Sequence, residues 1–439
     1  MIFSLTSIFL AILWIILGTS YIKWHPLLVL FSAALFLAVL LNIPPLETLE
    51  LIKEGFGKIV KNIGLLILFG TIIGFVLERS HATLSIAKWV LKHLNRFPLP
   101  YSVSCIGYII SIPVFCDAAF ILMSSLVKDL SRITKKNIIF LSVCLATGLY
   151  SAHVFVPPTP GPIVASEIIG ADIGLLFLIG IIVGGIVSIA GYIWIKFFFK
   201  KEFELNLKEI KSYEFISDRS IVSFLPIVLP ILLISASTII KYPGLEINQF
   251  QILEFFELIG KPEIALLFGF ITTLIFLRKD KIKDTPIWTI KSLKDSFEIL
   301  LITGSGGALG YIIRESGIIE SLSLNNVTGL ASILSVFISA AIIKTIQGSS
   351  TVAIVTTCAI TAPLLQSIGM TSELEKVILI ISIGSGAMTI SHINDSYFWV
   401  VSKYSNIEMN DVLKYFSSAT LIQGLTGLFM SIIIFIFLN

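Results

Sequence analysis

Charged residues are scarce in this chain of 439 residues: Asp, Glu, Lys and Arg make up only 13%, and the net charge is +3. Soluble proteins carry roughly 25% charged residues, so this deficit argues against a large soluble domain. The small net charge, with its basic residues between apolar runs, excludes a nucleic-acid-binding surface. The four cysteines show no CxxC spacing and no disulfide pattern, and we expect them to be small core residues.

Signatures of catalysis are also absent, because neither HExxH nor GxSxG occurs in the sequence. An intramembrane enzyme would need a nucleophile–base pair or metal ligands, and His153 and His392 could supply only part of a metal site. We therefore expect no enzyme, no metal and no cofactor. An intramembrane enzyme and an ion channel remain the alternatives from other functional classes.

Hydrophobic residues dominate instead, at 56% of the chain. Many apolar runs approach or exceed the ~20 residues that cross a bilayer. The sequence therefore predicts an all-α polytopic membrane protein embedded in the lipid bilayer. An amphipathic stretch at 47–61 is expected before a span at 62–78. The predicted organisation is N-terminal transmembrane helices at 1–45, a first repeat at 46–200, a cytoplasmic loop with linking helices at 201–290, and a second repeat at 291–439.

The stretch 100–130 is predicted to be a re-entrant hairpin. Basic residues flank both ends, which the positive-inside rule places on one side of the membrane. About 30 residues give only ~45 Å of helix, too little for two full crossings. We expect the tip near Ile112–Asp117, the alternative being one tilted span. Asp117 at mid-bilayer would cost ~3 kcal/mol unless paired, wet or protonated, which favours a cation- or proton-linked acid over a surface cap.

A second interruption lies at 153–162, where the chain reads HVFVPPTPGP between two apolar runs. Irregular backbone at membrane depth persists only inside protein or beside a water-filled cavity. A Pro/Gly-broken helix beside an ionisable histidine is typical of transporter substrate sites, here with Thr159 and Gly161 at the second helix start. His153 could exchange protons near neutral pH. A proline-rich surface loop with an interfacial histidine is the alternative.

The two halves of the chain resemble each other. GTIIGFVLERSH at 70–81 aligns with GGALGYIIRESG at 306–317, an offset of 306 − 70 = 236 residues. At an offset of 239, His153 falls on His392. Weak internal repetition of this kind marks secondary transporters, whose substrate site lies between the repeats at mid-membrane. The residues alone do not decide between inverted and parallel repeats.

A run of polar residues, Gln347-Gly348-Ser349-Ser350-Thr351, opens an apolar helix in the second half. Ser and Thr at such a position act as N-caps, and the free N–H groups there form an anion site. Lys344, one turn earlier, could neutralise an anion or merely extend to the interface. Ordinary capping at the membrane surface is the alternative.

Another polar cluster, Ser391-His392-Ile393-Asn394-Asp395, lies inside a hydrophobic stretch. Ionisable and amide side chains are costly in the membrane, so their presence here favours a functional site.

Four motifs resemble the signature stretches of the gluconate permease family: PVFCDAAFILMSSL at 113–126, HVFVPPTPGP at 153–162, QGSSTVAIVTT at 347–357 and SHINDSYFWVV at 391–401. The resemblance runs from about residue 50 to the end of the chain, in the family's motif order. It implies proton-coupled import of gluconate or a related small organic acid into a bacterium across its inner membrane. It also implies two inverted repeats with re-entrant hairpins, a homodimer and elevator-type movement.

The family's functional positions are carried over residue by residue. The matched positions are Asp117, Ser349, Ser350, Thr351, His392, Asn394 and Asp395. Together with the residues at the predicted helix starts, we expect substrate contacts from Asp117, Thr159, Gly161, Gln347, Ser349, Ser350, Thr351 and Asn394. We expect proton coupling through Asp117, His153, His392 or Asp395. The coupling ion is expected to be a proton, with Na⁺ not excluded. Thr159 stands where many members have histidine, and this departure leaves D-serine, sugar acids and other hydroxy acids open as substrates.

Overall fold

The computed structural model describes residues 2–80, 82–94, 96–198, 222–240, 250–274, 285–315, 328–393 and 395–438. Every regular element within these ranges is helical, which confirms the predicted all-α class. Six of the described helical segments are long and apolar enough to cross a membrane. Of the predicted cytoplasmic loop with linking helices at 201–290, residues 201–221, 241–249 and 275–284 lie outside the described residues.

The helices of the first half are α1 (Ile2–Ile16), α2 (Pro26–Leu40), α3 (Pro45–Arg79), α4 (Ala82–His93), α5 (Leu99–Ser111), α6 (Cys116–Thr134), α7 (Ile138–Phe155), α8 (Pro160–Ile169) and α9 (Ile173–Phe198). The linking helices are α10 (Leu225–Ile240), α11 (Phe250–Ile259) and α12 (Pro262–Thr273).

The helices of the second half are α13 (Thr285–Glu315), α14 (Leu330–Gln347), α15 (Ser350–Thr361), α16 (Glu373–Met388), α17 (Ser396–Ser405) and α18 (Ser418–Leu438). A helical turn, Met409–Asp411, and a π-helical turn, Val412–Ser417, lead into α18. The domain boundary predicted between residues 290 and 291 falls inside α13.

The amphipathic stretch predicted at 47–61 and the span predicted at 62–78 are both part of one continuous helix, α3. Proline occupies the first position of this helix, where its missing N–H costs nothing, and no further proline interrupts it. Gly55 allows α3 to approach α13 closely, since a Cβ there would lie 2.6 Å from the carbonyl oxygen of Gly307.

The predicted hairpin is confirmed by the contacts of α5 and α6. α5 runs antiparallel to α9, with Tyr101 against Tyr192 at 5.6 Å between ring centroids and Tyr108 Oη donating to Ile181 O at 2.6 Å. α7 is also antiparallel to α9, since Gly180 packs against the carbonyl of Phe155 and Gly191 packs against Thr147. Because α6 ends only a few residues before α7 begins, both ends of the hairpin lie at one end of the bundle.

The same order of elements occurs in the second half, where α14 and α15 form a helix–break–helix unit before the interrupted pair α16 and α17. α7 and α16 pack antiparallel: Gly384 contacts Val154, and Tyr150 Oη donates to Ala387 O at 3.4 Å. Antiparallel packing of corresponding helices is what an inverted arrangement requires. The repeat relation itself stays a prediction.

The two histidines aligned at an offset of 239 do not occupy corresponding places. His153 lies in the last turn of α7, whereas His392 lies in the break after α16. The residues that correspond in the helix order are the N-caps of the helices after each break, Thr159 before α8 and Asp395 before α17.

Candidate functional site

Four of the described helices begin at breaks inside the apolar bundle: α6, α8, α15 and α17. Each break has a local cause. Gly348 ends α14 in the left-handed region at φ 92°, and prolines surround the start of α8. Free N–H groups and the positive end of the helix dipole lie at each such start. The arrangement can therefore attract an anion wherever these starts meet.

Contacts between the helices bring these starts together. Phe115 and Pro113, next to the start of α6, line a narrow cleft with Thr159 and Pro160 at the start of α8. The first turn of α8 then meets α15, since a Cβ on Gly161 would lie 3.0 Å from Ile354 Cδ1.

The remaining two helix starts complete the cluster. α6 and α17 meet through Phe120 and Tyr397, whose ring centroids are 6.1 Å apart. The break between α14 and α15 is joined to the start of α17 by an ion pair between Lys344 and Asp395, with Nζ and Oδ2 2.6 Å apart. Helices from both halves of the chain therefore surround one buried centre.

The Lys344–Asp395 pair is the most deeply buried charged contact among the described residues, with side-chain exposures of 1% and 5%. Lys344 Nζ also donates to Gly348 O at 2.5 Å. Asp395 is the N-cap of α17 and accepts from Tyr397 N at 3.0 Å, while the Ser391 hydroxyl donates to its other oxygen. Three donor groups thus satisfy this carboxylate.

Three polar side chains near this pair have a buried atom without a hydrogen-bond partner among the described residues: Asp117 Oδ1, His153 Nδ1 and Gln347 Oε1. Asp117 and His153 both lie within electrostatic range of Lys344 and Asp395. Buried polar atoms are nearly always paired, so such a group in a native structure calls for an explanation, such as a ligand. Asp117 and Gln347 present acceptors that suit the hydroxyl or ammonium donors of a small molecule.

The hydroxyl residues predicted for substrate contact lie at the helix starts. Ser349 is the N-cap of α15 and accepts from Val352 N at 3.3 Å, which confirms the predicted capping. Ser350 is buried and its side chain interacts with Tyr150. Thr159 stands at the N-cap of α8, but its hydroxyl donates back to Val156 O at 2.6 Å. Thr351 lies half-buried in the first turn of α15.

Two predicted residues are not among these contacts. The ring of His392 is hydrogen-bonded through Nε2 to Thr345 O at 2.8 Å. Asn394 lies outside the described residues. The second helix start predicted at residues 159–162 is confirmed, with Thr159 as the N-cap and Pro160 as the first residue of α8.

The family model described as "GntP family permease" matches residues 3–437. This chain belongs to the GntP permease family. The chain is 28% identical to a gluconate permease of Pseudomonas aeruginosa, over 94% of this chain and 93% of that protein. It is also 28% identical to the D-serine transporter DsdX of Escherichia coli, over 97% of both chains.

The permease also resembles a solved structure. The YdaH transporter of Alcanivorax borkumensis superposes with a TM-score of 0.61 at 13% sequence identity, covering 94% of this chain and 98% of that one. At this identity the likeness shows the fold. Together with the long apolar helices, family membership makes the protein a multi-pass membrane permease for a small molecule.

An open cleft of about 780 Å³ lies at the far ends of α8 and α15 in this permease. Its walls include Glu167 and Gly170 at the end of α8, and Ala362 just after α15. α8 has 10 residues, which places the cleft about 15 Å from its first turn. The two helices thus run from the buried centre to a wide, partly charged opening.

The sequence left the role of Lys344 open, included Ser391 in a polar cluster without a specific role, and gave no indication of Tyr150. Extension of Lys344 to the interface is wrong, because its side chain is 1% exposed and paired with Asp395. A lysine within an apolar helix close to a Gly-Ser break was the available signal. Tyr150 gave no local signal, since its contacts with Ser350 and the Lys344 ammonium, 5.8 Å from the ring centroid, are long-range.

Proposed function

We propose that this permease imports gluconate or a related small hydroxy-carboxylate, coupled to protons. The observation that carries the proposal is the meeting of four helix starts around a buried cluster that also contains unpartnered acceptor atoms. In this proposal the substrate carboxylate takes N–H and hydroxyl donors at the start of α15, from Ser349, Ser350 and Thr351, and at the start of α8, beside Gly161. The substrate's own hydroxyl groups donate to Gln347 and Asp117, and Asn394 is a further partner.

Charge balance supports the coupling to protons. Lys344 compensates Asp395, so that an ionised Asp117 leaves the cluster with one uncompensated negative charge. A carboxylate substrate would bring a second negative charge into the same low-dielectric region, where like charges repel strongly. A proton taken up on Asp117, with His153 beside Phe115 as a second candidate, would relieve this repulsion. Proton and anion would then move together.

D-serine is the alternative substrate within this proposal. The relative from Escherichia coli is named as a D-serine transporter, and unpartnered acceptors such as Asp117 Oδ1 suit an ammonium group as well as a hydroxyl group. Thr159, which uses its hydroxyl locally, leaves no charged group at the start of α8 to decide between these substrates. We place the protein in the bacterial inner membrane, where a proton gradient is available. A homodimer stays a prediction.

Uptake by the purified protein in proteoliposomes tests the proposal. Labelled gluconate should accumulate when the outside is more acidic than the lumen, and should only equilibrate when the gradient is collapsed with a protonophore. Competition by unlabelled C3–C6 hydroxy acids and by D-serine then ranks the substrates. Large currents without saturation would indicate a channel. Saturable uptake whose rate and extent do not change with the proton gradient, but which requires Na⁺, would contradict the proton coupling.

A further inference from the structure

The ion pair between Lys344 and Asp395 connects two interrupted helices of the second half. Lys344 lies one turn before the end of α14 and donates to Gly348 O in the break, whereas Asp395 caps the start of α17. We propose that Lys344 is a positioning residue and that this pair is a static tether. It holds the tip of the α14–α15 hairpin against the start of α17 and does not carry the transported proton. The inference rests on the proposed function only where the test below measures substrate uptake.

The bonding of Asp395 is the first argument. Its two carboxylate oxygens receive Lys344, the Ser391 hydroxyl and Tyr397 N. Protonation would remove the negative charge of Asp395 and leave the buried ammonium of Lys344 without its counter-ion, which is costly at this depth. Asp117, in contrast, has an oxygen without a donor among the described residues. A proton can therefore join Asp117 without breaking an ion pair, whereas a proton on Asp395 would break one.

The comparison of the two halves is the second argument. Lys344 stands five residues before the N-cap of α15 (349 − 344 = 5), and the residue five before Phe115, the N-cap of α6, is Ile110 (115 − 110 = 5). Ile110 is fully buried among apolar side chains. The N-cap of α8, Thr159, is uncharged as well. Among the described residues the first half therefore has no counterpart of the tether, and Asp117, the acid that it contributes to the buried cluster, has no fixed cation.

Single and double substitutions of a buried ion pair are expected to differ in their effect on stability. Removing one partner of such a pair leaves an uncompensated buried charge and is strongly destabilising, whereas removing both charges together is often tolerated. Lys344→Met keeps the apolar stem of the side chain, and Asp395→Asn keeps an effective N-cap. If the pair is a tether, the effects of the two changes on stability should not add. Each single variant leaves one uncompensated buried charge, which lowers the free energy of unfolding, whereas the double variant leaves none.

The experiment compares the full-length permease with Lys344→Met, Asp395→Asn and the double variant in detergent and in proteoliposomes. We expect each single variant to lower the melting temperature, the membrane abundance and, by about tenfold or more, the uptake rate. The double variant should recover abundance and melting temperature and transport within about threefold of wild type, with the same dependence on external pH. The exposed pair Asp129 and Arg132, as Asp129→Asn with Arg132→Gln, is the control and should show no coupling.

Two results would overturn the inference. A double variant that is as unstable and as scarce as the single variants would show that the pair is not a tether. A stable double variant whose uptake no longer responds to the proton gradient would show that the pair carries the proton. The melting temperatures need no substrate, so a failure to transport gluconate would refute the proposed function while leaving the test of the tether intact.

Discussion

Replacement of Asp117 by asparagine separates proton coupling from substrate movement. The side chain keeps its size, and the change breaks no described hydrogen bond of Asp117 Oδ1. What it removes is the one acid of the cluster that has no fixed cation, since Lys344 is held by Asp395. We therefore expect Asp117→Asn to abolish concentrative uptake while substrate exchange continues.

The size of the effect follows from the coupling. One proton moved with one monovalent anion can sustain about a tenfold accumulation for each pH unit of inward gradient, equivalent to about 1.4 kcal/mol. In the Asp117→Asn variant the ratio of internal to external substrate should fall to about 1 under the same gradient, because no energy from the proton gradient reaches the substrate. Exchange between labelled external and unlabelled internal substrate needs no net proton movement and should stay within a few-fold of wild type.

Proteoliposomes allow both modes to be measured on one preparation. Uptake under an imposed pH gradient reports accumulation, and counterflow without a gradient reports exchange. Asp129→Asn is the matched control, because it makes the same chemical change at the exposed end of the same helix, α6. Equal loss of accumulation and exchange in a well-reconstituted Asp117→Asn variant would remove Asp117 from the coupling role. Accumulation at the wild-type level in the Asp117→Asn variant would also remove Asp117 from the coupling role.

Three further substitutions test the site and its packing. Ser349→Asp keeps a good N-cap and hence the melting temperature, but it should raise the KM for gluconate more than Ser349→Ala does, because it places a negative charge at the proposed anion site. Gly161→Val should lower uptake by forcing α8 away from Ile354, and Ile354→Ala should partly restore it if the two helix starts pack as described. Gly148→Ala should lower the melting temperature because its Cβ would collide with the carbonyl of Ser104, whereas Gly185→Ala, with open space around it, should not.

The positions of the breaks could be predicted from the sequence because their causes are local. A proline lacks the N–H that a helix interior needs, and a glycine such as Gly348 reaches the left-handed region without strain. Hydrophobic length and scarcity of charge set the membrane class for the same reason, since each is a property of a short stretch. The extent of α3 was the exception, where amphipathic and apolar stretches joined into one helix because no residue between them stops it.

The sequence by itself therefore determined a helical membrane permease, the places where its helices are interrupted and the residues that cap them, such as Ser349. Only the tertiary structure decided which residues meet. Lys344 pairs with Asp395, which lies 51 positions later in the chain. Gly161 packs against Ile354, and Tyr150 contacts Ser350. His392 is hydrogen-bonded to a backbone carbonyl. Such pairings depend on how the two halves pack, because the partner of a buried side chain is set by three-dimensional proximity and not by residues nearby in the chain.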